Sequence, residues 1–343
     1  MMKARIFMAV ITIAALSSAP FSFAADDEIG IFEALRASSV SFDETTAALD
    51  AAFAASGLEL HATHDVRVPE DQHRARVYVL TSPTYADAAS EESARTISAQ
   101  VLRVAVYTQG DDQATYINMA NPVAHAMVFY ADSPNYDALL TAAAEASGEI
   151  REAVSAVPGE ALWEQQEPRR AEKHYRAFKG DGPARMMAKF RTFRKSQLEI
   201  IEDTADNFDA VVDRATAALA AREVAGADES EGWEQLALIR VRDDAVYIGV
   251  TNPYIEDKMV RINSRFRKDG KSELSPYPGV DHVAALPTEI LIVKDGDATR
   301  VLHYGQMWRM QLYFWDSGYR AFTANVGVPS TISNSIEDTV SPD

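Results

Sequence analysis

The sequence predicts an α+β fold laid out as two tandem copies of one small unit. Three observations predict it. The first is a repeated order of parts: VYVLTSPTY (77–85) and VYIGVTNPY (246–254) are each an apolar strand halted at Thr-(Ser/Asn)-Pro. The second is a hairpin that follows a variable insert in both halves. It turns at Gly110-Asp111-Asp112 in one and at Asp295-Gly296-Asp297 in the other, and an aromatic run follows each. The third is that amphipathic helices stand apart from the hairpin-linked strands, the pattern of an α+β protein.

Composition narrows the class. The chain has 343 residues and 47% hydrophobic content, enough for two cores. Lys3 and Arg5 precede an apolar run, Ile6 to Leu16, and Phe21-Ser22-Phe23-Ala24 supplies a small-x-Ala cleavage pattern. This predicts a signal peptide over residues 1–24 and a periplasmic, soluble mature protein. There is no cysteine, which suits an exported protein stabilised by packing, and which excludes a thiol nucleophile, CxxCH haem attachment, iron–sulfur clusters and thiolate zinc sites. The net charge is −18, and loss of Lys3 and Arg5 makes it −20; such a surface repels phosphates, so nucleic acid is not an expected partner.

The first copy is predicted over 25–160. A polar lead, 26–40, ends in a short strand. Ser41-Phe42-Asp43-Glu44 is a capping box, and Leu49, Ala52 and Phe53 follow at helical spacing until Gly57. Strands are predicted over 58–66 and 75–82, the second stopped by Pro83, and a polar helical insert over 84–99. The hairpin occupies 100–108 and 114–119. Pro122 and Pro134 frame the segment holding His125 and Phe129-Tyr130, and an Ala-rich helix over 136–157 closes the copy at Pro158-Gly159.

Residues 161–206 are predicted to be a basic helical connector. Between 169 and 195 lie ten Lys and Arg residues against only Glu172 and Asp181, a sharp reversal in an acidic chain. Pro183 suits a helix start, and Met186, Phe190, Phe193 and Ile201 approximate one apolar face flanked by Lys189, Arg191, Arg194 and Lys195. Two uses fit. The helix packs across both copies, or it meets anionic lipid or an acidic partner with Met186, Lys189, Phe190, Arg191, Phe193 and Arg194 as contacts. The first is preferred, because duplicated domains need a connector that buries something.

The second copy is predicted over 207–327. Asn207-Phe208-Asp209 parallels Ser41-Phe42-Asp43. Two strands lie within 236–250, the insert 261–285 is longer and more basic than its counterpart, and the hairpin occupies 288–294 and 299–304. The offsets between paired landmarks are 166 at Phe42/Phe208, 170 at Pro83/Pro253, 186 at Gly110/Gly296 and 185 at Tyr130/Trp315. They rise mainly at the insert, as changes in loop length produce. The Ser/Thr-rich stretch 328–343 is predicted to be a flexible tail without a counterpart of helix 136–157.

With these parts assigned, the first copy resembles the bacterial domain-of-unknown-function family 302. The likeness rests on the Ser41–Thr46 helix start, the Gly57 stop, Ser82-Pro83, the hairpin through Val104–Asn118, Pro122 and the helix 136–157; the second copy matches more weakly, through Asn252-Pro253. The resemblance implies a two-layer unit with helices on a mainly antiparallel sheet. Relatives often carry a Cys where Thr81 and Thr251 stand here, so thiol chemistry does not transfer, and the family supplies no activity.

No catalytic constellation emerges from the motifs, and no cofactor or metal is expected. His61-Ala-Thr-His64 resembles a metal spacing, yet residues three apart on a strand face opposite sides. Gly180-Asp181-Gly182 lacks the spacing of a phosphate loop, and G-x-S-x-G is absent. Candidate ligand-binding residues gather at the strand ends: Tyr85, Asn118, His125, Asn252, Tyr254, His303 and Tyr304. With the hairpin offset, His303 falls opposite Ile117. The expectation is a non-enzymatic binding or accessory protein for a small molecule or protein partner, a monomer with pseudo-two-fold symmetry or a homodimer. A hydrolase or isomerase with its site in the cleft between copies is the alternative. Converging His, carboxylate and Tyr groups would favour the enzyme, and an aromatic and aliphatic lining would favour binding.

Overall fold

The computed structural model describes residues 28–68, 73–110, 112–177, 197–203, 207–224, 232–266, 279–304 and 306–341. The predicted signal peptide and the contact candidates Met186, Lys189, Phe190, Arg191, Phe193 and Arg194 lie outside them. Among the described residues no helix is long and apolar enough to cross a membrane.

The first half runs β1 (Glu28–Ser38), α1 (Phe42–Ala55), β2 (Glu59–Val66), β3 (Ala75–Thr81), α2 (Pro83–Ala88), a 3₁₀ helix (Ala94–Gln100), β4 (Val101–Gln109), β5 (Ala114–Ala120), α3 (Pro122–Phe129) and α4 (Tyr136–Ser155). Then come β6 (Gly159–Ala171) and α5 (Glu172–Ala177). The second half runs β7 (Gln197–Asp203), α6 (Phe208–Val224), β8 (Glu234–Arg242), β9 (Ala245–Thr251), α7 (Pro253–Phe266), a 3₁₀ helix (Val280–Ala285), β10 (Thr288–Asp295), β11 (Ala298–Tyr304) and α8 (Gln306–Phe314). Two further helices, α9 (Gly318–Ala324) and α10 (Val328–Val340), complete it.

The predicted local signals act as read. Ser41 and Glu44 exchange hydrogen bonds at the start of α1. At both Thr-(Ser/Asn)-Pro stops the proline also opens a helix: Ser82 accepts from the Tyr85 amide, and Asn252 accepts from the Ile255 amide. Proline is tolerated there because a first-turn residue has no intrahelical use for its N–H.

Two sheets form, and every pairing described is antiparallel. Their orders are β2-β3-β4-β5-β1-β6 and β7-β11-β10-β9-β8. Without β6, and with β7 through β11 standing for β1 through β5, the two orders are the same. The irregularities coincide as well. An extra residue bulges at Leu35 in β1 and at Ile200 in β7, between matching rungs. Another bulges at His61 in β2 and at Leu236 in β8, one rung beyond Glu59↔Thr81 and Glu234↔Thr251 respectively. Bulges re-aim a strand and depend on local register, so their recurrence points to one duplicated unit more strongly than turn residues do.

The hairpin alignment needs a correction. The last rungs are Gln109↔Ala114 and Asp295↔Ala298, so the second turn is two residues shorter and the offset falls to 184 beyond it. His303 therefore stands opposite Met119 rather than Ile117, and His125 stands opposite Arg309.

The predicted boundaries also shift. Residues 161–171 of the expected helical connector belong to β6, which pairs along the whole length of β1. Residues 197–203, expected to be helical, are strand β7. The expected flexible tail is helix α10, with Ile332, Ile336 and Val340 buried. It packs on α8 and α6 as α4 packs on α3 and α1, so it is the missing counterpart. Trp233 donates from its indole nitrogen to Ser335 at 2.9 Å and ties this helix down.

The halves exchange inserts. The 3₁₀ helix of the first packs on β9 and β10, and that of the second packs on β3, β4 and β5. Tyr304 donates to the Arg95 carbonyl at 3.3 Å, and Asn118 donates to the Asp281 carbonyl at 2.6 Å. The two carbonyls lie 186 residues apart, the offset of the inserts themselves. The donors are not equivalent positions, since Asn118 corresponds to Leu302, so the reciprocal feature is the exchange of the inserts themselves.

Candidate functional site

Where the inserts cross, the halves meet in a buried polar cluster. Arg103 of β4 lies six residues ahead of Gln109, the last paired residue of its strand, and Glu289 of β10 lies six ahead of Asp295. His125 is the fourth residue of α3, and Arg309 is the fourth of α8. Equivalent positions thus carry Arg and His in one copy, Glu and Arg in the other. All four are buried, together with Tyr313.

The hydrogen bonds fix the protonation of the first pair. His125 Nδ1 lies 2.8 Å from the Asn121 carbonyl, which can only accept, so Nδ1 carries the proton. Nε2 is then a lone pair, and it receives Arg103 Nη2 at 2.6 Å and the Tyr313 hydroxyl at 2.8 Å. Burial, and then the adjacent Arg103 charge, hold His125 well below the ordinary imidazole range. It is a neutral acceptor at physiological pH.

Arg309 Nη1 pairs with Glu289 Oε2 inside this cluster. Both guanidinium groups donate to one carbonyl, that of Ala285, Arg103 at 3.2 Å and Arg309 at 2.6 Å. Both also lie against the Tyr313 ring, 5.4 Å and 5.3 Å from its centroid. Two buried arginines thus share one carbonyl, and only Arg309 bonds the carboxylate.

Beside it, His282 of the second insert sits between Asp281 at 3.1 Å and Asp316 at 3.2 Å. Burial alone would lower its pKa, but Asp316 and Asp281 raise it to about 8. Its ring meets Phe32 of the first copy edge-on at 4.8 Å. A third contact between halves joins β2 to α7. The buried Glu256 accepts from His64 Nε2 at 2.7 Å, the Arg67 amide at 2.6 Å and the Thr251 hydroxyl at 2.7 Å.

One wall of the arginine cluster opens outward. Arg309 also lines a shallow groove, open to solvent, between α7, α8 and α10. Ile255, Met259, Ile262, Met310, Phe314 and Ile332 supply most of its surface. Gln306 and the half-buried Lys258 supply polarity, and the Lys258 ammonium lies 5.3 Å from the Tyr254 ring centroid. A smaller hollow shares Ile262, Met310 and Phe314 and continues the apolar surface towards Trp315 and Phe322.

The seven predicted candidates divide. Asn118, His125 and Tyr304 each bond the other half, through separate partners, and Tyr254 stands at the groove through Lys258. The other three do not join them. Tyr85 of α2 is fully buried beside Tyr130, Asn252 caps α7, and His303 Nε2 reaches Glu337 of α10 at 3.2 Å. His61 and His64 have separate partners, Thr81 and Glu256. Sequence inspection missed Arg103, Glu289, Arg309 and Lys258. The available signal was a lone charge inside each apolar hairpin strand, VLRVAVY and TEILIV.

No curated protein and no solved structure matches the chain. Residues 35–157, from the end of β1 to just beyond α4, match the family model described as Domain of unknown function DUF302. The first copy is thus similar to that family, and the kinship of the second copy rests on the strand order, bulges and exchanged inserts it shares with the first.

Proposed function

We propose that this is an exported periplasmic protein that binds a small ligand without transforming it, and that the ligand lies in the groove of the second copy. The lining of that groove carries the proposal. It is aliphatic and aromatic with a few polar groups at one end, the usual composition of a small-molecule site. The signal-peptide pattern of residues 1–24 supports export. Native mass spectrometry of protein purified from its own periplasm tests both parts. The expected result is a chain beginning at Ala25 with a retained small molecule, lost in the groove-filling variant Ile262→Trp. A retained molecule indifferent to that substitution places the ligand elsewhere and defeats the proposal.

The enzyme alternative has one observation in its favour, the convergence of His125, Tyr313 and Arg103 within hydrogen-bond reach. Against it, His125 has both ring nitrogens engaged and all three side chains are buried, so no substrate atom meets them without displacing a core contact.

A further inference from the structure

We infer that the ligand of this groove is an amphiphile with an anionic head group. The inference rests on the groove being the ligand site and adds the chemical class. Two independent observations carry it. First, the ionised side chains that line the groove, Lys258 and Arg309, are both cations, and no carboxylate lines it among the described residues. Second, the charge behind the wall is incompletely matched. Arg309 pairs with Glu289 and donates to the Ala285 and Pro287 carbonyls, whereas Arg103 shares the Ala285 carbonyl and has no carboxylate within hydrogen-bond reach among the described residues. Arg103 is otherwise held by neutral acceptors, His125 and Tyr313, and its Nε is buried without a partner.

A buried guanidinium in that position favours a further anion, since pairing is what makes a buried charge tolerable. A ligand carboxylate at the Arg309 end would bring a second negative charge to the two guanidiniums, meeting Arg309 and Lys258 directly and Arg103, which does not line the groove, only through space. The body of the ligand would lie along Ile255, Met259, Ile262 and Met310 towards Phe314. The aspartates beside His282 do not serve this purpose, because they flank that imidazole on its two nitrogens. A neutral alcohol would gain the apolar contacts alone. A quaternary ammonium would meet two like charges.

The test titrates decanoate, decan-1-ol and decyltrimethylammonium into the full mature chain by isothermal calorimetry. Decanoate should bind at least about ten-fold more tightly than the alcohol, and the ammonium should bind most weakly. Lys258→Glu, a substitution at a half-buried position, should weaken decanoate by about ten-fold or more and leave decan-1-ol unchanged. Glu289→Gln, which removes the competing carboxylate, should strengthen decanoate binding; a thermal melt establishes that each variant is folded. Equal affinity for all three compounds overturns the anionic preference while leaving the groove as a binding site. Binding of none of them overturns both the preference and the groove assignment.

Discussion

His282 should make this protein lose stability as the pH rises. In the folded chain its imidazolium is held between Asp281 and Asp316 and its pKa is raised to about 8, against an ordinary value of 6.5. The folded state therefore binds a proton more tightly than the unfolded state. The stabilisation is fully present below pH 6.5 and is lost as the pH climbs through about 8. At about 1.4 kcal/mol per pKa unit, the difference amounts to about 2 kcal/mol. The assay is urea unfolding of the wild-type chain and of His282→Gln, from about pH 6 to about pH 9. Wild-type stability should fall across this window by about 2 kcal/mol more than that of the variant. His64, raised in the same direction by Glu256 against the effect of burial, contributes equally to both curves and cancels. If the two curves run parallel, the imidazole does not hold its proton between the aspartates, and the electrostatic account of this insert is wrong.

Two further outcomes test the fold. Ile336→Ala removes a fully buried side chain from α10 and should cost about 2–5 kcal/mol, followed by urea unfolding through Trp233, whose indole bonds the adjacent Ser335; an unchanged midpoint would mean the final helix is not part of the core. Gly30→Ala should destabilise by about 1–3 kcal/mol, because its Cβ would stand 2.2 Å from the Gln166 carbonyl oxygen where β1 meets β6. Its thermal melt should shift downward, while Gly57→Ala, where the Cβ meets nothing within 4 Å, should shift little.

Much of the fold was legible because turn chemistry and capping are local. Ser41 to Glu44, the two Thr-(Ser/Asn)-Pro strand stops and the two hairpins are each determined within a few residues, and together they announce the duplication. What escaped depends on distant partners. Strand β6 has mostly exposed or half-exposed side chains over 159–169, so it lacks the alternation by which a half-buried strand is recognised. Its basic C-terminal end was absorbed into a charge run. Helix α10 was hidden by serine and threonine, although Val328, Ile332, Ile336 and Val340 recur every fourth residue and would have marked an apolar face. The site was least legible. Charged residues are normally placed at the surface, and only the crossing of the inserts explains why Arg103, Glu289 and Arg309 are not.

The woven-in strand β6 has a consequence for the order in which this chain can fold. Strand β1 begins at Glu28, yet its two neighbours are β5, ending at Ala120, and β6, whose last rung joins Glu28 to Ala171. The first sheet is complete only when residue 171 is available: β1 gains β5 on one edge first and keeps its other edge open until β6 arrives. Such non-local closure is slow and leaves an apolar segment, Ile29 to Leu35, open to other contacts in the interval. In the second sheet β7 pairs with β11 alone, a partner about as distant along the chain as β5 is from β1, and stays at the sheet edge. The two copies share a topology but not a last step: after its hairpin strand has paired with β1, the first sheet still awaits its connector strand, whereas the second ends with β7 on β11.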